Sequence, residues 1–196
     1  DLIEVEAGKS VLITLMINGV YHQRSYSIVD MTKNGEIRLG IKVQGLVSKA
    51  AQQLRVGDRF EISQAQGDFV LHQGQQPALL IASGSGITAI YSLLKQAVAQ
   101  KLKEIHVVYF NRAEVFHQEI LALAEQYPQL KYHFFNTAQQ KQHLDTALLE
   151  KLVPNFKELQ AYACGHHSMM RQAQAIYAQH DACLLYTSPS PRDATL

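Results

Sequence analysis

Two short stretches hold the side chains best suited to chemistry. Ser83-Gly84-Ser85-Gly86-Ile87-Thr88 follows the apolar run Leu79-Leu80-Ile81-Ala82 and precedes Ala89-Ile90-Tyr91-Ser92-Leu93-Leu94, which reads as strand, glycine loop and helix. Gly84 and Gly86 would let the backbone take positive φ and approach a ligand closely. The helix opening near Ile87 would direct unpaired N–H groups and a positive dipole end at that ligand, so an anion belongs there. The spacing Gly84-Ser85-Gly86-Ile87-Thr88-Ala89 fits the dinucleotide pattern G-x-G-x-x-G/A in its required context, although a glycine-rich corner without a nucleotide remains the alternative. The second stretch is Arg24-Ser25-Tyr26-Ser27. Its arginine can fork onto a diphosphate, its tyrosine shares the arginine's face and can stack on a planar ring, and its hydroxyls can bond a ring nitrogen. Read alone, it is first of all a decorated strand.

The elements that must position these groups fall into two halves. Residues 9–17 are nearly all apolar, Asn18-Gly19 is a hairpin turn, and 21–29 continue as a second strand. Ile37, Leu39, Ile41 and Val43 alternate with polar or small neighbours and predict a strand over 37–43. Ser48 suits the N-cap of a short helix through Leu54, and 60–63 and 69–72 read as two further short strands. Several short strands with regular turns indicate a small antiparallel barrel. After 73–77, strands predicted at 79–82, 105–110, 130–135 and 159–163 alternate with helices at 87–100, 113–127, 144–152 and 168–179. That alternation means a parallel α/β sheet. Tyr91, Leu94 and Val98 at helical spacing are core positions.

Composition narrows the function. The 196 residues are 47% hydrophobic and carry 18 basic and 17 acidic side chains, a net charge of +1 without a long single-sign run. Nothing there suggests a nucleic-acid or membrane-surface footprint, and no apolar stretch approaches the ~20 residues of a membrane span. A soluble cytoplasmic protein acting on small molecules is expected. Cys164 and Cys183 are too far apart for a paired-cysteine motif. Cys164-Gly165-His166-His167 invites a metal reading, but one cysteine and two adjacent histidines do not readily converge from a strand-helix corner, so no metal is expected. No Ser-His-Asp order or carboxylate pair stands out for hydrolysis.

Taken together, Arg24-Ser25-Tyr26-Ser27 resembles the flavin-binding R-x-Y-S motif of the ferredoxin-NADP reductase superfamily. Gly45-Leu46-Val47-Ser48 resembles its second flavin-phosphate loop and Gln66-Gly67-Asp68-Phe69 its end-of-barrel turn. Residues 84–88 resemble its pyridine-nucleotide loop, and Cys164-Gly165 its C-G-P segment. The five motifs occur in the family's order across 7–178. The resemblance is strongest to bacterial reductases that pass electrons to ferredoxin-type, oxygenase or desaturase partners. It implies a Greek-key flavin barrel over 1–75 and an NAD(P)-binding α/β domain over 76–182. It further implies FAD, with FMN the lesser candidate, and NADPH or NADH as donor. Arg24 and Ser48 would contact flavin phosphates, Tyr26 would stack on the isoalloxazine, and Ser27 would lie near its N5. Ser25, Lys42, Gly45 and Val47 complete the implied flavin site. Gly84, Ser85, Gly86, Ile87, Asn111 and Arg112 would hold the nucleotide, while Thr88 and Cys164, with Gly165, would flank the nicotinamide. Ser27, Thr88 and Cys164 are thus the implied catalytic set.

His166 replaces the family's proline after Cys164-Gly165, and Ala89 replaces the common proline after Thr88. The second α/β strand ends Tyr109-Phe110-Asn111-Arg112 with no acid before Glu114, so Arg112 could pair with the extra phosphate of NADPH, which is the expected donor. The family often places phosphate-binding groups after the third strand, where Asn136, Thr137 and Lys141 stand. Residues 183–193, CLLYTSPSPRD, resemble the translation of a transposase-type sequencing-library adapter, with 194–196 over its barcode. A non-native tail over 183–196 that packs against nothing is therefore expected, with a Ser/Pro-rich disordered terminus as the alternative. Both ends read as truncated, the first barrel strand and the last sheet strand missing. Hydride transfer from NAD(P)H to flavin, then single electrons to an iron-sulfur acceptor, is the function the resemblance implies. A [2Fe-2S] group would belong to a downstream domain. The alternatives are the reductase half of a flavohaemoglobin, a flavodoxin reductase, or a flavin-binding electron-transfer or sensor subunit without nicotinamide chemistry.

Overall fold

The computed structural model describes residues 6–180 and 185–189. Strands β1 (Ser10–Ile17) and β2 (Val20–Met31) form an antiparallel hairpin whose turn holds Asn18 at φ 52° and Gly19 at φ 79°, the positive angles that Asn-Gly accommodates. Strands β3 (Ile37–Leu39) and β4 (Glu61–Ile62) flank them in the order β3-β2-β1-β4, an antiparallel half-barrel. Helix α1 (Leu46–Ala51) closes it, with Ile13, Leu15, Tyr26 and Val47 as the shared buried cluster.

Three predictions in this half are corrected. The strand expected over 37–43 stops at Leu39. Beyond it Gly40 lies so close to the Thr88 methyl that a Cβ there would collide with it, so tertiary contact takes over from sheet pairing. The strand expected over 69–72 does not form. Phe69 and Leu71 instead bury themselves in the α/β core, and the His72 N–H donates to the Tyr162 hydroxyl at 2.8 Å rather than to a neighbouring strand. Ser48 is not the cap of α1: Gly45 holds that position, and the Ser48 hydroxyl accepts from the N–H groups of Gln44 and Gly45, each at 2.9 Å.

The second half is β5 (Ala78–Ser83), α2 (Ile87–Ala99), β6 (Ile105–Asn111), α3 (His117–Gln126), β7 (Leu130–Asn136), α4 (Thr146–Leu152), β8 (Gln160–Gly165), α5 (His167–Gln179) and β9 (Leu185–Pro189). The sheet is wholly parallel in the order β7-β6-β5-β8-β9. Strand β5 is its centre, with Ala78 to Ala82 fully buried, as expected of an apolar run covered on both faces. One face packs against α2, with Phe69 and Leu71 from the barrel half, and the other against Leu149 of α4 and Met170, Ala173 and Ile176 of α5. The chain steps outward from β5 to β6 and β7, then returns to β8 on β5's other side. This reversal opens a crevice at the strand C-termini, the usual ligand position in open α/β sheets.

The expectation that the tail packs against nothing fails for 185–189. These residues pair in parallel with β8, Tyr186 stacks on Tyr162 at 5.1 Å, and Leu185 packs beside the core. The remaining tail positions lie outside the described residues, as do residues 1–5.

Candidate functional site

At that crevice the two halves enclose a cleft of about 900 Å³. Ser83, Gly84, Ser85, Ile87 and Thr88 form one wall, Asn111 and Arg112 leave the end of β6, and Gly40, Ile41 and Lys42 enter from the barrel half. Thr137, Gln142, His143, His166, Ser168 and Gln172 add to the polar rim. Among the described residues no aspartate or glutamate lines it, whereas Lys42, Arg112 and two histidines do. Its charge therefore suits an anionic ligand.

The glycine turn is built differently from the sequence expectation. Residues Gly84–Gly86 make a single 3-10 turn ahead of α2. Gly84 has the positive φ, +54°, but Gly86 sits at −60°. Gly86 is required for another reason: a Cβ there would run into the carbonyl of Cys164 and come within 2.6 Å of the Gly165 nitrogen. The close approach is to strand β8, not to a ligand. Thr88 is buried and its hydroxyl donates to the Ser85 carbonyl at 3.0 Å, which holds the turn closed. Ser83, left without a role among the expected site residues, accepts from the His166 N–H at 2.8 Å and ties the end of β5 to the start of α5.

Asn111 is committed internally. Its carboxamide donates to the Tyr109 hydroxyl at 2.6 Å and accepts from the Arg112 N–H at 2.9 Å, while burial pushes the Tyr109 phenol up to about 12. The Arg112 guanidinium is exposed and makes no ion pair among the described residues. Cys164 does not reach the cleft surface. It is 2% exposed, and burial pushes its thiol up to about 12 despite a hydrogen bond to Ser188. Gly165 likewise sits behind the wall, pressed against Ser83.

Of the barrel-half candidates Lys42 lines this cleft, whereas Arg24, Ser25, Tyr26, Ser27, Gly45, Val47 and Ser48 do not. Arg24 and Tyr26 share one face of β2, opposite Ile13 and Val11 of β1, and Ser25 and Ser27 take the other face. Arg24 is exposed and its Nη1 donates to the Gln23 carbonyl at 2.7 Å, which leaves its other donors for an anion. Tyr26 is 8% exposed and clusters with Val47 from the first turn of α1, so strand and helix form one wall. A flavin fits the arrangement through the exposed Arg24 guanidinium and the wall that Tyr26 makes with Val47. The Ser48 hydroxyl does not fit as a direct phosphate ligand, because it also donates to the Gly45 carbonyl at 3.0 Å and is turned into its own loop.

An oxidoreductase FAD-binding domain model matches residues 1–71 and an oxidoreductase NAD-binding domain model matches 80–175. A flavohemoprotein of Pseudomonas putida is 30% identical over 183 residues, covering 86% of this chain and 46% of its own length. The chain thus spans about half of such relatives. The FAD/NAD-binding domain of a Vibrio cholerae nitric oxide dioxygenase superposes with a TM-score of 0.82 at 19% identity, over 96% of this chain and 86% of that one. A Neisseria gonorrhoeae ferredoxin NADP+ reductase with bound FAD and NADP gives 0.76 at 15% identity, over 94% and 87%. Both structural likenesses bear on the fold. Among the described residues no helix is long and apolar enough to cross a membrane.

Proposed function

We propose, because this chain belongs to the oxidoreductases that pair an FAD-binding with an NAD-binding domain of the ferredoxin-NADP reductase type, that it takes hydride from NADPH and hands electrons singly to an iron-sulfur acceptor. The observation that carries the reading is the cleft at the sheet's reversal point, which no carboxylate among the described residues lines and into which the barrel half inserts Lys42. A bound flavin supplies the conversion between a two-electron donor and a one-electron acceptor. The protein's part is to bind and align.

Arg24 neutralises phosphate on the barrel side, and Tyr26 supplies a flat apolar wall held by Val47. The Gly84–Gly86 turn leaves backbone N–H groups at the start of α2 for the nucleotide's diphosphate. Arg112 meets the phosphate that distinguishes NADPH from NADH. Thr88, buried beneath Gly40, fixes the spacing between the two halves at the point where the rings must meet. A cytoplasmic location goes with this donor.

Anaerobic stopped-flow mixing of the flavin-loaded protein with NADPH tests the reading, with bleaching of the flavin absorbance as the expected result. A flavin that stays oxidised would make the chain a binding subunit. A second reading has its own support, since the Pseudomonas putida relative is a flavohemoprotein. Its reductase-like half would feed a haem. Offering the NADPH-reduced protein a plant-type [2Fe-2S] ferredoxin and, separately, a ferric globin decides between them by which acceptor is reduced within the turnover time.

A further inference from the structure

The barrel half meets the α/β half along one stripe of α2. Thr88, Tyr91 and Lys95 follow one another there at helical spacing, and each has a partner outside the helix. Gly40 closes on the Thr88 methyl. Asp30 of β2 reaches Lys95, with 2.9 Å between Oδ2 and Nζ. Tyr91, between them, stacks on Phe116 at 4.6 Å, and Phe116 lines the cleft. The Lys95 ammonium also lies 5.2 Å from the centre of the Tyr91 ring, a cation–π distance. Asp30 is aimed by its own sheet: its Oδ1 accepts from the Met31 N–H at 3.0 Å, and Arg38 stands opposite it on β3. Burial works against its charge, but Lys95, the Met31 N–H and Arg38 outweigh it and hold the carboxyl below its ordinary value. Among the described residues this is the only ion pair that joins the two halves.

We propose that Asp30 and Lys95 are positioning residues for hydride transfer, their ion pair fixing the angle at which the barrel half sits on the helix that carries Thr88 and the glycine turn. The inference rests on the flavin and nucleotide reading. Phe69 and Leu71 anchor the barrel half in the α/β core, but apolar contacts have no direction and leave rotation about them open. Lys95 stands two turns beyond Thr88, about 10 Å along α2. A directed bond there adds a second fixed point to the Gly40–Thr88 contact, and two points set an angle where one does not.

Two readouts test it. Nitroxide labels on Val56→Cys and Glu125→Cys, exposed positions on opposite halves, in a Cys183→Ser background report the angle itself. Pulsed dipolar spectroscopy of the flavin-loaded protein should give a narrow distance distribution that broadens in Asp30→Ala and in Lys95→Met. Anaerobic stopped flow at saturating NADPH should show flavin bleaching about tenfold slower in either variant, with flavin content and NADP+ affinity unchanged. The double variant should be no slower than the single ones, since both remove the same bond. Lys95→Arg, which keeps a cation within reach of Asp30, should recover most of the loss. A parental bleaching rate, an unbroadened distribution, additive losses, or a slowing that follows flavin loss or weakened NADP+ binding would each overturn the assignment and leave the functional reading standing. A parent whose flavin NADPH does not bleach would overturn both.

Discussion

Replacing Gly86 with alanine separates two explanations of the same glycine, because they predict opposite signs. Gly86 lies at φ −60° and ψ −17°, ordinary right-handed backbone at the start of α2. By conformation alone, alanine there should stabilise the fold by about 0.4 to 1 kcal/mol through the unfolded chain. The packing says otherwise. The new Cβ would overlap the Cys164 carbonyl and sit 2.6 Å from the Gly165 nitrogen. Both belong to β8, which is paired with β5 on one side and β9 on the other, so neither atom can swing aside. Overpacking of this kind costs about 1 to 3 kcal/mol. A net loss near 2 kcal/mol should lower the melting temperature of a chain this long by about 4 to 8 °C. Gly84→Ala makes the control: its φ of +54° costs an alanine about 1 to 2 kcal/mol, but the obstructing atoms belong to the exposed His166 ring, which can move. Thermal unfolding followed by far-ultraviolet circular dichroism reads both. A Gly86→Ala protein melting at or above the parent would refute the claim that β8 dictates this glycine.

Arg112→Ala should lower kcat/KM for NADPH about tenfold or more and leave NADH nearly unchanged, since it removes one charge-assisted phosphate contact; a parallel fall for both donors would remove Arg112 as the discriminator. Arg24→Ala should strip flavin from the purified protein further than Tyr26→Phe, which keeps its apolar wall, and equal flavin content in Arg24→Ala and parent would refute Arg24 as a flavin ligand. Burial pushes the Cys164 thiol from 9 to about 12, so the folded chain holds a proton there that the unfolded chain releases. Its contribution to stability is complete below pH 9 and is lost as the pH rises toward 12. Alkylation of Cys164 by iodoacetamide at pH 8, read by mass spectrometry, should therefore require denaturant.

Much of the α/β half was legible because its signals are local. The run 78–82 is apolar at every position and is buried at every position, so periodicity and burial agree. Asn18-Gly19 announced its turn for the same reason: both residues tolerate the positive φ they adopt. What the sequence hid depends on the other half of the molecule. Alternation over 37–43 looked like a strand, yet Gly40 answers to the Thr88 methyl some fifty positions away, and His72 finds its partner in the Tyr162 hydroxyl. Ser48 has the chemistry of a helix cap, but three residues after Gly45 the same hydroxyl folds back onto the loop. The helix expected from 113 begins at His117, because Phe116 takes φ +57° and stacks on Tyr91 at 4.6 Å. For the candidate site, residue types singled out the glycine turn, which the fold places on the cleft wall. The partition between residues that face a ligand and residues that hold others in place was not visible: Ser83, Thr88 and Asn111 spend their polar atoms on the protein itself.

Strand β9 shows how far backbone chemistry alone can carry a segment. Residues 185–189 read Leu-Tyr-Thr-Ser-Pro, and their resemblance to adapter-derived sequence gave no reason to expect a complementary face. An open sheet edge asks for less than that. Strand β8 without a neighbour would present a row of unpaired N–H and C=O groups, a template for any extended segment that reaches it. Leucine, tyrosine and threonine accept extended geometry readily, and proline is tolerated at the strand's end. Pairing then runs over five positions from Ala161 with Leu185 to Gly165 with Pro189, and the side-chain contacts follow from register. Tyr186 falls beside Tyr162 and stacks at 5.1 Å, and Ser188 falls beside Cys164, where it bonds the buried thiol. Sheet order is thus set by the edge that β8 offers, and the identity of the strand that fills it is a separate matter.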